Sequence, residues 1–270
     1  MPVHPTALID TATRIDESAF IGPFAVIEGG VEIGARTRVE AHAVVRSGTV
    51  LGDDCVVDSH CVIGGLPQDL SFDAARPTGV RIGNRVTMRE GVTVSRATKE
   101  GAFTEIGDDC FLMANSHVAH DCKLATRVIL ANGVLLAGHI QIGARSFLGG
   151  AVAVHQFVRI GESAMVSGLS RVSREVPPFA MMAERDEWIG LNLVGLKRQG
   201  KSRETIAELK SLMRDLWAAE KGMIRRAGEL FAEGRAKTPE GIELLKFMSS
   251  SKRGFCQPRR RRANDVDSDE

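Results

Sequence analysis

An aliphatic residue recurs every six positions from Ile9 to Ile63 without a missed step: Ile9, Ile15, Ile21, Ile27, Ile33, Val39, Val45, Leu51, Val57 and Ile63. The period resumes at Ile82, Met88 and Val94, and again from Ile106 through Leu112, Val118, Leu124, Leu130, Leu136, Ile142, Leu148, Val154, Ile160 and Val166 to Val172. Neither a helical repeat of about 3.6 residues nor strand alternation of two singles out one position in six. A short strand followed by a turn does, with the aliphatic side chain pointing inward. Three such units close a triangular coil of eighteen residues. No coil can bury its aliphatic residues alone, so coils must stack, with parallel strands pairing from one to the next. Glycine often follows the aliphatic residue (Gly22, Gly34, Gly107, Gly143), and is read here as the place where the backbone bends and a Cβ would obstruct it.

The rest of the composition narrows the function classes. With 35 basic against 34 acidic residues and a net charge of +1, the chain has no overall field for nucleic acid or an anionic membrane. Its start, MPVHPTALID, lacks a charged segment leading into an apolar one, and no stretch approaches the roughly 20 apolar residues of a membrane span. A cytoplasmic protein is expected. Cys55, Cys61, Cys110 and Cys122 each stand two residues before a repeat aliphatic, where Ala, Thr, Val or Ser otherwise occur, and read as small packing residues rather than zinc ligands or disulfide partners. Cys256 stands alone in the tail.

Two segments lengthen the repeat: Gly64 to Gly79, containing Gly65-Leu66-Pro67-Gln68-Asp69-Leu70, and Ser95 to Glu105. Loops on a rigid scaffold often carry specificity. The first is assigned such a role; the second is read as a tolerated surface insertion. After Val172 the period stops at Pro177-Pro178, and a short connection holding Trp188 and Asn192 leads to helices. Ser202 caps the first, with Ile206, Leu209, Leu212, Met213, Leu216 and Trp217 as its buried stripe. Gly222 punctuates; a second helix buries Ile224, Ala227, Leu230 and Phe231; a third starts at Thr238-Pro239 and buries Ile242, Leu245 and Phe247. The expected division is an all-β solenoid over 1–185, a helical domain over 186–254 and a disordered charged tail over 255–270 that carries the basic run Arg259 to Arg262.

Coil arithmetic then gathers the histidines. Adding eighteen to His120 reaches Gly138, and eighteen more reaches Gln156, so these three form one column, flanked by His139 and His155. General-base catalysis needs a histidine, a carboxylate that fixes its tautomer and a donor for developing negative charge. His120, Asp121 and the Gly138 N–H meet that description. A zinc site is the competing reading; it is discounted because the histidines fall on different coils and only Asp121 supplies a nearby acid.

The segments GGLPQDL, NSHVAHDC, LAGH, AVHQF, EVPPF, GLNLVGLKRQG and SSSKRG, in this order on this repeat, resemble the acyl-acyl carrier protein:UDP-N-acetylglucosamine O-acyltransferase family, which opens lipid A synthesis in Gram-negative bacteria. The likeness covers nearly all of the chain to about Gly254. It implies a left-handed parallel β-helix followed by a C-terminal helical domain, a homotrimer with sites between neighbouring subunits, acyl carrier protein as acyl donor, a UDP-sugar acceptor and no cofactor or metal. On the matching positions, His120 would deprotonate the sugar 3-hydroxyl, Asp121 would orient it and Gly138 would stabilise the oxyanion. Gln68, Asp69, His117, His139, His155, Gln156, Asn192 and Arg198 would bind the nucleotide sugar or the acyl donor, and Gly168 would set acyl length, glycine resembling members that accept longer chains. Three positions depart from the family pattern: Ser71 for a lysine, Ser95 for a histidine and Val194 for an acidic residue. These open an alternative acceptor, a 3-amino or other nucleotide sugar, and beyond it a non-catalytic solenoid that binds carrier protein.

Overall fold

The computed structural model describes residues 3–219 and 222–258. The coil is a triangular prism. Among the described residues, its first face is a nine-stranded parallel sheet running from Leu8–Ile9 to Arg171–Val172, and its second an eight-stranded sheet from Arg14–Ile15 to Arg159–Ile160. The third face is an eleven-stranded sheet that begins at Phe20–Ile21 and continues beyond Met165–Val166. The hand is left, as the resemblance implied.

Each face is one column of the repeat. Ile27, Val45, Ile63, Val94, Val118, Leu136, Val154 and Val172 line the first from inside, each no more than 3% exposed. The residues two positions earlier fill the corners between faces; Cys55, Cys61, Cys110 and Cys122 are there with no disulfide, at 0 to 1% exposure. Burial pushes the Cys61 and Cys122 thiols up to about 12 and Cys110 to about 11, so they are packing groups rather than nucleophiles.

The glycine expectation holds for the obstructed Cβ and needs correcting for the place of the bend. At seven corners where a glycine follows the aliphatic, the left-handed backbone falls two residues after it, on Phe24, Arg36, Asp54, Arg85, Asp109, Arg145 and Ser163, with φ between 54 and 60°. The glycine serves close approach instead: a Cβ on Gly143 would lie 2.7 Å from the Gly161 carbonyl carbon of the next coil. Side chains on the second corner offset the cost of that backbone by pairing along the axis. Arg36 grips Asp54 at 2.6 and 2.7 Å, and Arg85 grips Asp109 at 2.6 and 3.0 Å.

The last sheet runs past residue 185, because Ala180–Ala183 joins it in parallel and Glu187–Leu191 folds back antiparallel on that strand. The helical part therefore begins later than expected, with α1 (Leu193–Arg198), a short helix absent from the sequence reading. α2 (Arg203–Trp217) is capped by Ser202, and α4 (Pro239–Ser249) by Thr238, each accepting a backbone N–H at 3.1 Å, as anticipated. α3 (Met223–Ala232) buries only Ala227 and Leu230, and Ile224 and Phe231 remain 37% and 42% exposed. α4 buries Leu244, Leu245 and Met248, one step round from the stripe expected.

Arg159 fastens this helical layer to the coil. It holds the buried Glu175 carboxylate at 2.7 and 2.9 Å, donates to the Phe247 carbonyl at 3.2 Å and lies over the Phe247 ring. The segment taken as a tail from 255 is part of the fold as far as Pro258. Phe255 and Cys256 are buried, the Cys256 N–H donates to Glu175, and Gln257–Pro258 pairs with Glu187–Trp188. Arg259 to Arg262 lie outside the described residues.

A Gly143→Ala substitution should destabilise the protein by about 1–3 kcal/mol, the usual cost of overpacking. Chemical denaturation compared with wild type measures it, and an unchanged midpoint would mean that the coils can part freely.

Candidate active site

The corner between the first and second faces collects the chemistry. Strand His117–Val118 ends on it, Lys123–Leu124 leaves it, and His117 pairs with Leu135, which pairs with Ala153. That register stacks His120, Gly138 and Gln156 as the eighteen-residue sum requires. The His120 ring packs against Gly138, where a Cβ would lie 2.5 Å from the imidazole Cε1. Gly138 is thus a steric requirement of the histidine's position. On either side, Ala137 and His139 donate their N–H groups to neighbouring coils at 3.1 and 3.0 Å; the Gly138 N–H joins no such bond among the described residues.

Asp121 sits at φ 60°, a conformation that turns its carboxylate back alongside the preceding side chain. Its Oδ2 lies 2.8 Å from His120 Nδ1. With Nδ1–H donated to the carboxylate, Nε2 carries the lone pair. Both side chains are shielded, His120 at 15% and Asp121 at 11% exposure. Burial alone would raise the Asp121 pKa, but hydrogen bonds from His120 and from Thr98 outweigh it and hold the carboxyl below its ordinary value.

The second inserted segment supplies those further bonds, so its reading as a tolerated insertion was mistaken. Thr98 donates its hydroxyl to Asp121 Oδ2 at 2.7 Å and its N–H to both oxygens at 3.2 and 3.3 Å, while Thr104 Oγ1 accepts the Asp121 N–H at 2.9 Å. No periodic signal marked Thr98, because an insertion suspends the coil arithmetic.

His139 joins the cluster by ring contact, edge-on to His120 at 5.1 Å and stacked on Phe157 at 4.6 Å. Burial lowers its pKa, and the nearby His120 and Lys99 work in the same direction against the attraction of Asp121. His117 bonds Thr93 Oγ1 through Nδ1 at 2.7 Å, and burial followed by His120 lowers its pKa as well. Both neighbours therefore favour the neutral imidazole. The ligand atoms of His120, Asp121 and His139 all lie within 4.8 Å of one another, tighter than separate coils suggested. The carboxylate of that group already accepts the Thr98 and His120 donors.

The remaining expected residues spread over the molecule. Asp69 is exposed in the first loop; the Ser71 N–H, then the Ser71 hydroxyl, and more weakly His120 and His139, lower its pKa. Gln68 is exposed beside it, and Ser71, far from idle, fixes the Asp69 carboxylate. Ser95 is 4% exposed, in register with Gly65. His155 turns away from the cluster toward Arg253, 3.4 Å off, and Gln156 lies exposed on the turn beside it. Asn192 is on another corner, between the second and third faces, where it caps α1 and donates to the Ser163 carbonyl at 3.0 Å. Arg198 ends that helix, exposed, and Val194 is exposed in its first turn. Gly168 occupies the third corner, against Gly150.

Similarity to known proteins is extensive. A model of the bacterial transferase hexapeptide, six repeats, matches residues 12–47 and 103–138, and one described as UDP N-acetylglucosamine O-acyltransferase, domain 2, matches 175–256. The acyl-[acyl-carrier-protein]–UDP-N-acetylglucosamine O-acyltransferase of Thermodesulfovibrio yellowstonii is 43% identical over 94% of this chain and 99% of its own. The protein of that name from Anaeromyxobacter dehalogenans is 41% identical over 95% and 100%. The UDP-N-acetylglucosamine acyltransferase structure from Campylobacter jejuni superposes with a TM-score of 0.88 at 32% identity, over 95% of this chain and 100% of that one.

Asp121 ionises more readily when folded, so its contribution to stability is complete above the unfolded carboxylate value of about 3.9 and is lost as pH falls toward its lower folded value. Denaturant titrations from about pH 6 to about pH 3 should show Asp121→Asn losing less stability than wild type over that range. Parallel curves would contradict the assigned environment.

Proposed function

The chain belongs to the acyl-[acyl-carrier-protein]–UDP-N-acetylglucosamine O-acyltransferase family and is an acyltransferase, and from that premise we propose how its site works. The reaction moves a hydroxyacyl chain from the thioester of acyl carrier protein to the 3-hydroxyl of UDP-N-acetylglucosamine, the opening step of lipid A synthesis. An acceptor of another kind or a non-catalytic scaffold is not favoured.

The observation that carries the mechanism is the His120–Asp121 pair with its bonded Nδ1 and free Nε2. Nε2 takes the proton of the 3-hydroxyl as its oxygen attacks the thioester carbonyl. Asp121 stabilises the imidazolium that forms, and the Gly138 N–H meets the oxyanion. As the tetrahedral intermediate collapses, the carrier protein leaves as its thiol with the proton returned by His120. No metal or cofactor enters this scheme. Gln68, Asp69, His117, His139, His155, Gln156, Asn192 and Arg198 hold the substrates, and Gly168 sets acyl length by leaving a surface against Gly150 unfilled.

Separation of these residues over three corners supports the homotrimer. Asn192 and Arg198 cannot face His120 within one chain, because the whole second face of the prism lies between the two corners; a threefold axis parallel to the coil brings the corner of one subunit to the α1 region of the next. No described helix is long and apolar enough to cross a membrane, and carrier protein and nucleotide sugar are cytoplasmic substrates, which supports action in the cytoplasm.

His120→Ala should lower turnover by about 10²–10⁴ with the assembly unchanged by sedimentation; undiminished acyl transfer would refute the base assignment. Inactive His120→Ala and Arg198→Ala subunits, refolded together, should recover activity that neither has alone. Mixed oligomers without recovery would place both residues in one subunit's site.

A further inference from the structure

The two inserted segments are stitched into one unit, and that unit reaches the reacting pair. Arg96 N–H donates to the Gly65 carbonyl at 2.9 Å, Ala97 N–H to Gly79 at 3.2 Å, and Gly101 N–H to Pro77 at 2.8 Å. Arg96 also sends a guanidinium N–H to the Ala74 carbonyl at 2.7 Å and lies over the Phe72 ring. Arg76, from the first loop, donates to the Thr98 carbonyl at 3.2 Å. Thr98 is therefore gripped through its carbonyl by the loop that carries Gln68 and Asp69, while its hydroxyl and N–H grip Asp121.

Three donors converge on that one carboxylate: Thr98 Oγ1–H, Thr98 N–H and His120 Nδ1–H. Neither donor from Thr98 titrates, and the residue's backbone is held by Arg76 on its carbonyl. A carboxylate bonded only to the imidazole could rotate and carry His120 off its seat on Gly138. Resting on the reading of His120 as the base, we propose that Thr98 is the positioning residue of this site: it locks the Asp121 rotamer and so aims His120, tying the base's geometry to the first loop through Arg76.

Steady-state kinetics on the full-length chain tests this, with hydroxyacyl carrier protein and UDP-N-acetylglucosamine as substrates. Thr98→Val keeps shape and N–H but removes the hydroxyl. Its kcat should fall about tenfold, the scale of one charge-assisted hydrogen bond, with both KM values unchanged. Thr98→Ser, which restores the hydroxyl, should return to near wild type. In an Asp121→Ala background, Thr98→Val should add little, because the carboxylate that accepts its hydroxyl is already gone. Full kcat in Thr98→Val, no rescue by serine, or the same loss in both backgrounds overturns the proposal. Thr98→Ala reports on the same hydroxyl should the valine variant not fold. His120→Ala in the same series separates the two claims: if it is fully active the base assignment fails, whereas an inactive His120→Ala beside a fully active Thr98→Val defeats the Thr98 inference alone.

Discussion

The hydrogen bond from the N–H of a strand's outward-facing residue to a carbonyl of the next coil is the constraint from which the rest follows. Phe111 donates to Val128, Ile129 to Ser146 and Phe147 to Ala164, each at 2.9 to 3.0 Å. Because the coil strands are parallel and mostly two residues long, a slip of one residue would turn the whole aliphatic column outward. Register and core are thus the same decision, repeated at every coil. Everything on a corner inherits its position from that ladder, and the pairing of His120 with Gly138 is one instance.

The corners show what the ladder costs. A left-handed residue is required at each, and the sequence mostly places there a side chain able to bond along the axis rather than a glycine. Arg36, Asp54, Arg85 and Asp109 form charge pairs on one corner; on another, Asp121, His139 and Phe157 hold the same backbone position. The conformation that strains the structural corner is the one that presents Asp121 to its neighbour at the site. Both uses come from a single turn geometry.

Much of this was legible beforehand for the same reason. A period of six admits one kind of fold, and addition of eighteen places any in-phase residue beside its neighbours, so the coil, the buried cysteines and the column from His120 to Gln156 could be read from numbers alone. Legibility ended where the addition ended. Thr98 lies in an insertion with no phase, and its contact with Asp121 depends on how the loop returns. The shift in the buried face of α4 and the burial of Phe255 and Cys256 depend on where Arg159 clamps the helices, a long-range contact that no local pattern announces. Asn192 looked like a substrate ligand, yet its amide also caps α1, a role written in its surroundings rather than in its own segment.

Stacked parallel strands advance by about 4.8 Å per coil. Groups on one corner of this prism can therefore be separated along the axis only by whole multiples of that step, and a functional group moved by eighteen positions travels one step without turning. The scaffold is a ruler graduated in coils. Distances between the His120–Asp121 pair and any partner on the same corner, such as Gln156 two coils away, change in increments and never continuously, so adaptation to a longer or shorter ligand has two routes: a different side chain on an existing graduation, or a shift by one whole mark.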